Sequence, residues 1–424
     1  MRIRILYIVV ITSLIGCSSA KHKNEFKKID SNYKSNFFNT HFVGVLIVDA
    51  TTKDTIYKQN ATKYFTPASN TKIATLYAAL ELLPEVIPSL KYIETKDTLY
   101  IEGTGDPSFL HPYLKDSTTL TFLKKQPKNI AVHLNNFQEN KYGPGWAWED
   151  YDVYYSPERS ALPMYGNLVQ ISYKDSSIIS PNYFEKKLIQ KKHPRNRALF
   201  DNTFYFHTNR KDTLEIPFIV DSTITKELLS SVVEKEIFLT TKMPQEEKSI
   251  LYGISSDTLY KRMMQQSDNF IAEQLLIVAS STLSDTLQSA IARKHLLKNQ
   301  LANLRQPPRW VDGSGLSRYN LFSPESIVFL LQKIYTKIPQ ERLFNIFPAG
   351  GVSGTLKGRY KGNPSPYIYA KSGSLGNNYC LSGYLLSNSG KTLIFSFMHN
   401  HFKKPTAEIR REIEKVLVQL RDNY

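Results

Sequence analysis

The chain is poor in cysteine: its 424 residues carry only Cys17 and Cys380. That excludes a disulfide-stapled scaffold and a multi-cysteine zinc or iron–sulfur site. The nine histidines are scattered and none forms an HExxH pair, so no metal site is expected. The apolar run that opens the chain, residues 5–14, falls far short of the roughly 20 residues a membrane-spanning helix needs. Acidic residues are outnumbered, 38 against 54 Lys and Arg, for a formal charge of +16. No arginine-rich helix, RNP-like aromatic motif or Cys/His finger accompanies that charge, which argues against a nucleic-acid partner. Attraction to an anionic wall or membrane surface remains as a non-specific effect. What is present is globular composition, 41% hydrophobic and 22% charged, enough for a large core in two or three domains.

Residues 1–17 read MRIRILYIVVITSLIGC. Arg2 and Arg4 precede an apolar run that ends at Leu14-Ile-Gly-Cys17, which resembles a bacterial lipobox. The resemblance implies removal of residues 1–16 as a signal peptide and lipidation of the Cys17 thiol. Residues 17–36, polar and Lys-rich, then read as a lipid-anchored tether. Lipidated Cys17 would leave Cys380 alone, so no intramolecular disulfide is expected. The implied location is the periplasm, anchored to a bacterial membrane. Ser18, where an acidic residue would favour inner-membrane retention, points by the same analogy to the outer membrane.

Residues 41–48 (HFVGVLIV) read as a buried strand, 49–54 as a turn and 55–57 as the returning strand of a hairpin. Ile73, Leu76, Tyr77 and Leu80 then recur at helical spacing, with Pro84 and Pro88 expected to end that element. Residues 91–239 differ in texture: Tyr, Asn and Pro, short β-like runs, and the turn-rich Tyr142-Gly-Pro-Gly-Trp146. They read as a mostly β module. Leu259, Met263, Phe270, Ile271, Leu275 and Val278 suggest two successive helices. Strands follow at 367–371, 378–386 and 392–398, the last two joined by a hairpin at 387–390. Pro405 opens a final helix with Ile409, Ile413, Val416, Leu417 and Leu420 on one face. The expectation is an α+β fold. An antiparallel sheet flanked by helices, from residues 37–90 and 240–424, is interrupted by a mostly β insertion at 91–239.

Three short motifs carry candidate chemistry. Ser69-Asn-Thr-Lys72 is one of three S-x-x-K matches, and the one that opens an amphipathic helix. There i and i+3 share a face, so the Lys amine can reach the Ser hydroxyl and, once neutral, deprotonate it. Alone the motif equally describes a capping Ser and a solvated Lys. Ser267-Asp-Asn269 lies between two helical patterns and alone equally describes a helix cap. Lys371-Ser-Gly373 is the single K-[ST]-G match and ends a strand, where a Gly without Cβ lets the substrate backbone come close. Alone it equally describes an exposed Lys before a turn. The order S-x-x-K, S-x-N, K-[ST]-G is the set of penicillin-binding proteins and serine β-lactamases.

The long stretch between Ser69 and Ser267, against the shorter one to Lys371, resembles the D-alanyl-D-alanine carboxypeptidase/endopeptidases of the class C low-molecular-mass penicillin-binding proteins. Further matching segments are Gly103-Thr-Gly-Asp-Pro107, Pro144-Gly-Trp146, Ser256-Asp-Thr-Leu259, Asp312-Gly-Ser-Gly-Leu-Ser317, Gly351-Val-Ser-Gly-Thr-Leu356 and Ala370-Lys-Ser-Gly-Ser-Leu375. Departures are Ser372 for the commoner Thr, a less glycine-rich Gly103-Thr104-Gly105, and an insertion short for the family. Asp312-Gly-Ser-Gly315 lacks the phosphate-loop pattern and reads as a turn, as does Tyr165-Gly-Asn167.

The resemblance implies a β-lactamase/transpeptidase-like fold and acyl transfer by a covalent serine. Ser69 would attack the penultimate D-Ala carbonyl of a peptidoglycan stem peptide, with Lys72 as general base. The N–H groups of Ser69 and Ser374 would hold the oxyanion. Ser267, with Lys371 nearby, would return a proton to the leaving amine, and Asn269 would orient Lys72 and the substrate amide. Lys371 and Ser372 would hold the terminal carboxylate, on a substrate-binding strand that includes Gly373 and Ser374. β-Lactams would acylate Ser69, and no cofactor is required. A serine β-lactamase shares the three motifs, but no E-x-x-L-N segment is present. A non-catalytic wall-binding scaffold would not need Ser69, Lys72, Ser267, Asn269 and Lys371 intact.

Overall fold

The apolar run after His41 forms the strand Phe42–Asp49, buried on both faces after its first residue. In the computed structural model, which describes residues 37–173, 177–207 and 209–424, it is an interior strand of a five-stranded antiparallel sheet. The order is Ile368–Leu375, Asn378–Leu386, Thr392–Asn400, Phe42–Asp49, Thr55–Gln59. Strands from both ends of the chain thus pair as expected, with Val45 opposite Phe397 and Ile47 opposite Phe395. Alternation puts Val45, Ile47, Phe395 and Phe397 on one face, in one core with Ile409, Ile413, Val416 and Leu417 of the helix Thr406–Asn423. The helix Pro324–Lys337 packs on the same sheet, with Pro324 in its first turn and Ser323 and Ser326 capping each other. The signal peptide, the tether and Cys17 lie outside the described residues. Cys380 is a buried free thiol.

The chain divides into two compact units. The first holds the sheet just described: of the described residues, 37–73, Leu304–Arg309 and Asn320–Tyr424. The second holds Ala74–Asn303 and Trp310–Tyr319. Its five-stranded sheet runs Ile237–Thr240, Asn129–His133, Thr98–Gly103, Val86–Glu94, Ser249–Ser255. The first three strands pair in parallel and the rest antiparallel. Smaller sheets join Leu214–Pro217 to Leu168–Tyr173 and Ser177–Ser180, and Leu188–Gln190 to Phe204–Phe206. Helices Thr118–Lys124 and Ser222–Val233 complete the 91–239 stretch.

One local expectation is corrected. Pro84 follows a helix that ends at Leu82, but Pro88 lies inside the strand Val86–Glu94. It is tolerated because the ladder is irregular there: the register against Ser249–Ser255 shifts beside Tyr252, which faces Pro88. The two compact units divide after Ile73. The helix Ser256–Gln265 is tied to the segment after Ile73 by Tyr260 Oη on the Ala79 carbonyl, 3.1 Å, and by Ser256 N–H on the Glu85 carbonyl, 2.9 Å.

Candidate active site

Ser69 sits in a tight turn that feeds a helix. Pro67 leads into the 3₁₀ segment Ala68–Asn70, with Ala68 at φ +48°, and the α-helix Thr71–Leu82 follows directly. Thr71 Oγ1 donates to the Ala68 carbonyl at 2.9 Å. Asn70 Nδ2 donates to Ser382 Oγ at 2.7 Å, and Ser382 Oγ to Ser396 Oγ at 2.9 Å, pinning the turn to the sheet. Ser69 is half-buried and Lys72 fully buried, with Lys72 Nζ 3.1 Å from Ser69 Oγ. A capping Ser with a solvated Lys is therefore not what the motif forms.

The strand Ile368–Leu375 runs beside this turn. A Cβ at Gly373 would stand 2.7 Å from the Pro67 carbonyl oxygen and 2.8 Å from the Ser69 nitrogen. The expectation that this glycine leaves room for substrate backbone is thus corrected: the room is taken by the Ser69 turn. The strand is at the sheet's edge. Ala370 N–H donates to Pro348 O and Ile368 O accepts from Gly350 N–H, while Tyr367 O accepts from Leu386 N–H of the neighbouring strand. By alternation, Ser372 and Ser374 direct their backbone groups as Ile368 and Ala370 do, toward the open edge. Ser374 is exposed there.

Lys371 is fully buried and donates to the Ser372 carbonyl at 2.6 Å. Burial, joined by the positive charge of Lys72, pushes its amine well below the usual lysine range. Ser372 Oγ donates to Thr355 Oγ1 at 3.0 Å, within the turn Gly354–Leu356. Thr355 was not singled out as a site residue, although it belongs to one of the matching segments. Ser69, Lys72, Lys371, Ser372, Gly373 and Ser374 thus gather in the first unit.

Ser267 and Asn269 belong to the second unit. Ser267 joins the helices Ser256–Gln265 and Asn269–Ser281 in the left-handed region, φ +57°. The cap is not Ser267 but Asp268, which accepts from Ile271 N–H at 3.0 Å and pairs with Arg262 Nε at 3.0 Å. Asn269 Nδ2 donates to the Tyr155 carbonyl at 2.9 Å.

The Asp312-Gly-Ser-Gly segment is a structural turn. Asp312 accepts from Gly315 N–H, Ser317 N–H and Trp146 Nε1 at 2.7–2.9 Å. Glu273 accepts from Gly313 and Ser314 N–H at 3.0 and 2.7 Å and lies 3.3 Å from Arg159. Burial and the neighbouring Asp312 charge push the Glu273 carboxyl up to about 7. Tyr165–Asn167 is likewise a turn, with Asn167 Nδ2 on the Glu158 carbonyl at 2.8 Å. Among the described residues, no three His, Cys, Asp or Glu side chains are arranged to hold a metal.

Known proteins resemble this chain along most of its length. The D-alanyl-D-alanine carboxypeptidase DacB of Haemophilus influenzae is 23% identical over 374 residues, 77% of this chain and 76% of that protein. The crystal structure of penicillin binding protein 4 from the same organism superposes with a TM-score of 0.68 at 20% identity, covering 90% of this chain and 95% of that one. Its complex with a β-lactam superposes with a TM-score of 0.63 at 20% identity, covering 89% and 95%. These likenesses carry the α+β fold. The model of the D-Ala-D-Ala carboxypeptidase 3 (S13) family matches residues 26–193 and 219–424. Those spans contain the Ser69 turn, the Ser267 turn and the Lys371 strand, and the chain belongs to the D-Ala-D-Ala carboxypeptidase 3 (S13) family.

Proposed function

We propose that this serine peptidase cleaves the D-Ala-D-Ala end of peptidoglycan stem peptides through an ester on Ser69. The observation that carries the reading is the buried Lys72 amine 3.1 Å from the half-buried Ser69 hydroxyl. A base at that distance can take the hydroxyl proton as Oγ attacks the penultimate D-Ala carbonyl. The oxyanion that forms needs fixed donors. Ser374 N–H, directed to the open strand edge, and Ser69 N–H suit that task; a lost donor of this kind typically costs about 10²–10³ in rate. The substrate carboxylate falls to Lys371 and Ser372. It would return to Lys371 the charge that burial opposes. We assign proton return to the leaving amine to Ser267, and orientation of the substrate amide to Asn269, on the family resemblance. Water then releases the acyl group.

The test is labelling of the purified protein with a fluorescent penicillin, beside Ser69→Ala, with peptide mass mapping. The expected result is a stable adduct on the Ser69 peptide, absent from the variant. No adduct on folded protein would favour the scaffold reading, and rapid nitrocefin turnover the β-lactamase reading. Digestion of purified muropeptides then separates carboxypeptidase from endopeptidase activity. We further infer a periplasmic lipoprotein, processed before Cys17 and held by its lipid on the outer membrane. The support is the sequence Leu14-Ile-Gly-Cys17 followed by Ser18. Radiolabelled palmitate should enter the wild type and not Cys17→Ser.

A further inference from the structure

The peptidase machinery leaves one surface of the second unit without a role. Residues 185–201 carry Lys186, Lys187, Lys191, Lys192, Arg195 and the buried Arg197 against two acidic residues, Glu185 and Asp201. The four lysines are exposed. The segment folds back on itself: Ala198 N–H donates to Thr203 O, Tyr205 N–H to Asn196 O, and Leu188–Gln190 pairs with Phe204–Phe206. Ring contacts tie parts of it together. Lys191 Nζ lies 5.1 Å from the Tyr205 ring, His193 stacks on that ring at 3.9 Å, and Arg195 covers Trp148 and Tyr151 at 5.9 and 5.6 Å. Large apolar groups of this stretch, and Trp148 under Arg195, are exposed. Phe200, at the tip of the turn, is 89% exposed, Trp148 71%, Leu199 42% and Ile189 41%. Residues 194–218, which include the tip, are the internal stretch that the family model does not match.

We propose that this face docks on an anionic lipid bilayer, with Lys186, Lys187, Lys191 and Lys192 at the headgroups and Phe200 and Trp148 entering the interface. Charge complementarity alone would also suit a carboxylate-bearing polymer. Such a polymer offers no apolar layer for Phe200, Leu199 and Ile189, whereas a bilayer receives both halves of the pattern. Docking would hold the second unit against the membrane in one orientation. It is independent of the acyl-transfer reading.

The test is lysine footprinting of the full chain reconstituted on phosphatidylglycerol or phosphatidylcholine vesicles, read by mass mapping. Labelling of Lys186, Lys187, Lys191 and Lys192 is expected to fall about fivefold on the anionic vesicles, the weight of roughly one surface lysine contact. It should stay unchanged on the neutral ones, with Lys294 and Lys298 as internal references. Phe200→Ser, which replaces a side chain already in water, should return part of that labelling, and high salt most of the rest. Equal labelling on both vesicles would overturn the proposal. So would protection by purified peptidoglycan in place of vesicles, which would give the face to the cell-wall polymer.

Discussion

Lys72 and Lys371 are both fully buried, and the charge of Lys72 adds to desolvation in holding the Lys371 ammonium below its ordinary 10.5. A lysine depressed on folding binds fewer protons in the native state than in the unfolded one. Stability therefore rises with pH between the lowered value and 10.5. In Lys371→Met this rise should flatten, and the Tm at neutral pH should stay level or gain about 2–4 °C. Acylation by a carboxylate-bearing penicillin should fall about 10–100-fold, the loss of one charge-assisted contact. Urea unfolding at pH 7 and 9, beside labelling rates, checks both halves. A variant that labels normally would remove Lys371 from carboxylate binding.

Gly373 tests the contact between the strand and the Ser69 turn. Gly373→Ala places a methyl against the Pro67 carbonyl and the Ser69 nitrogen, both backbone atoms that cannot swing aside. Overpacking of this kind costs about 1–3 kcal/mol. Because the displaced atoms include the Ser69 nitrogen, acylation should fall about 10²-fold, beyond what the stability loss explains. Normal labelling with normal stability would show that the strand has room to move.

Ser267 pays for its position with a left-handed backbone. Ser267→Gly relieves that conformation and should raise stability by about 1 kcal/mol, while peptidase turnover drops with the hydroxyl. Ser267→Ala keeps the strain and should lower turnover without the gain. Full turnover in both variants would remove the hydroxyl from proton transfer.

Glu273 sets a pH dependence of opposite sign. Its carboxyl is raised from 4.5 to about 7 in the fold, so the native state holds the extra proton. Its contribution is present below 4.5 and is lost as pH rises through about 7. Glu273→Gln should flatten that fall. Urea unfolding of both proteins at pH 5 and 8 measures the difference, and parallel curves would reject the assignment.

The sequence by itself determined the three motifs, their order, and most of the strands and helices around them, though Lys371-Ser-Gly373 lies inside the strand Ile368–Leu375 rather than at its end. Local spacing suffices for that. An i, i+3 spacing lets Lys72 reach Ser69 across one helical turn, and apolar runs such as 378–386 and 392–398 announce buried strands. It did not determine why position 373 must be glycine, because the clashing atoms belong to residues some three hundred positions earlier. Nor did it reveal that Lys371 is desolvated, that Asp268 takes the cap, or that Pro88 sits in a strand. Those outcomes depend on which backbone passes beside which, and on what packing excludes from water. The unit boundary after Ile73 is of the same kind. No composition change marks it; it follows from helix Ser256–Gln265 packing on the segment beyond Ile73.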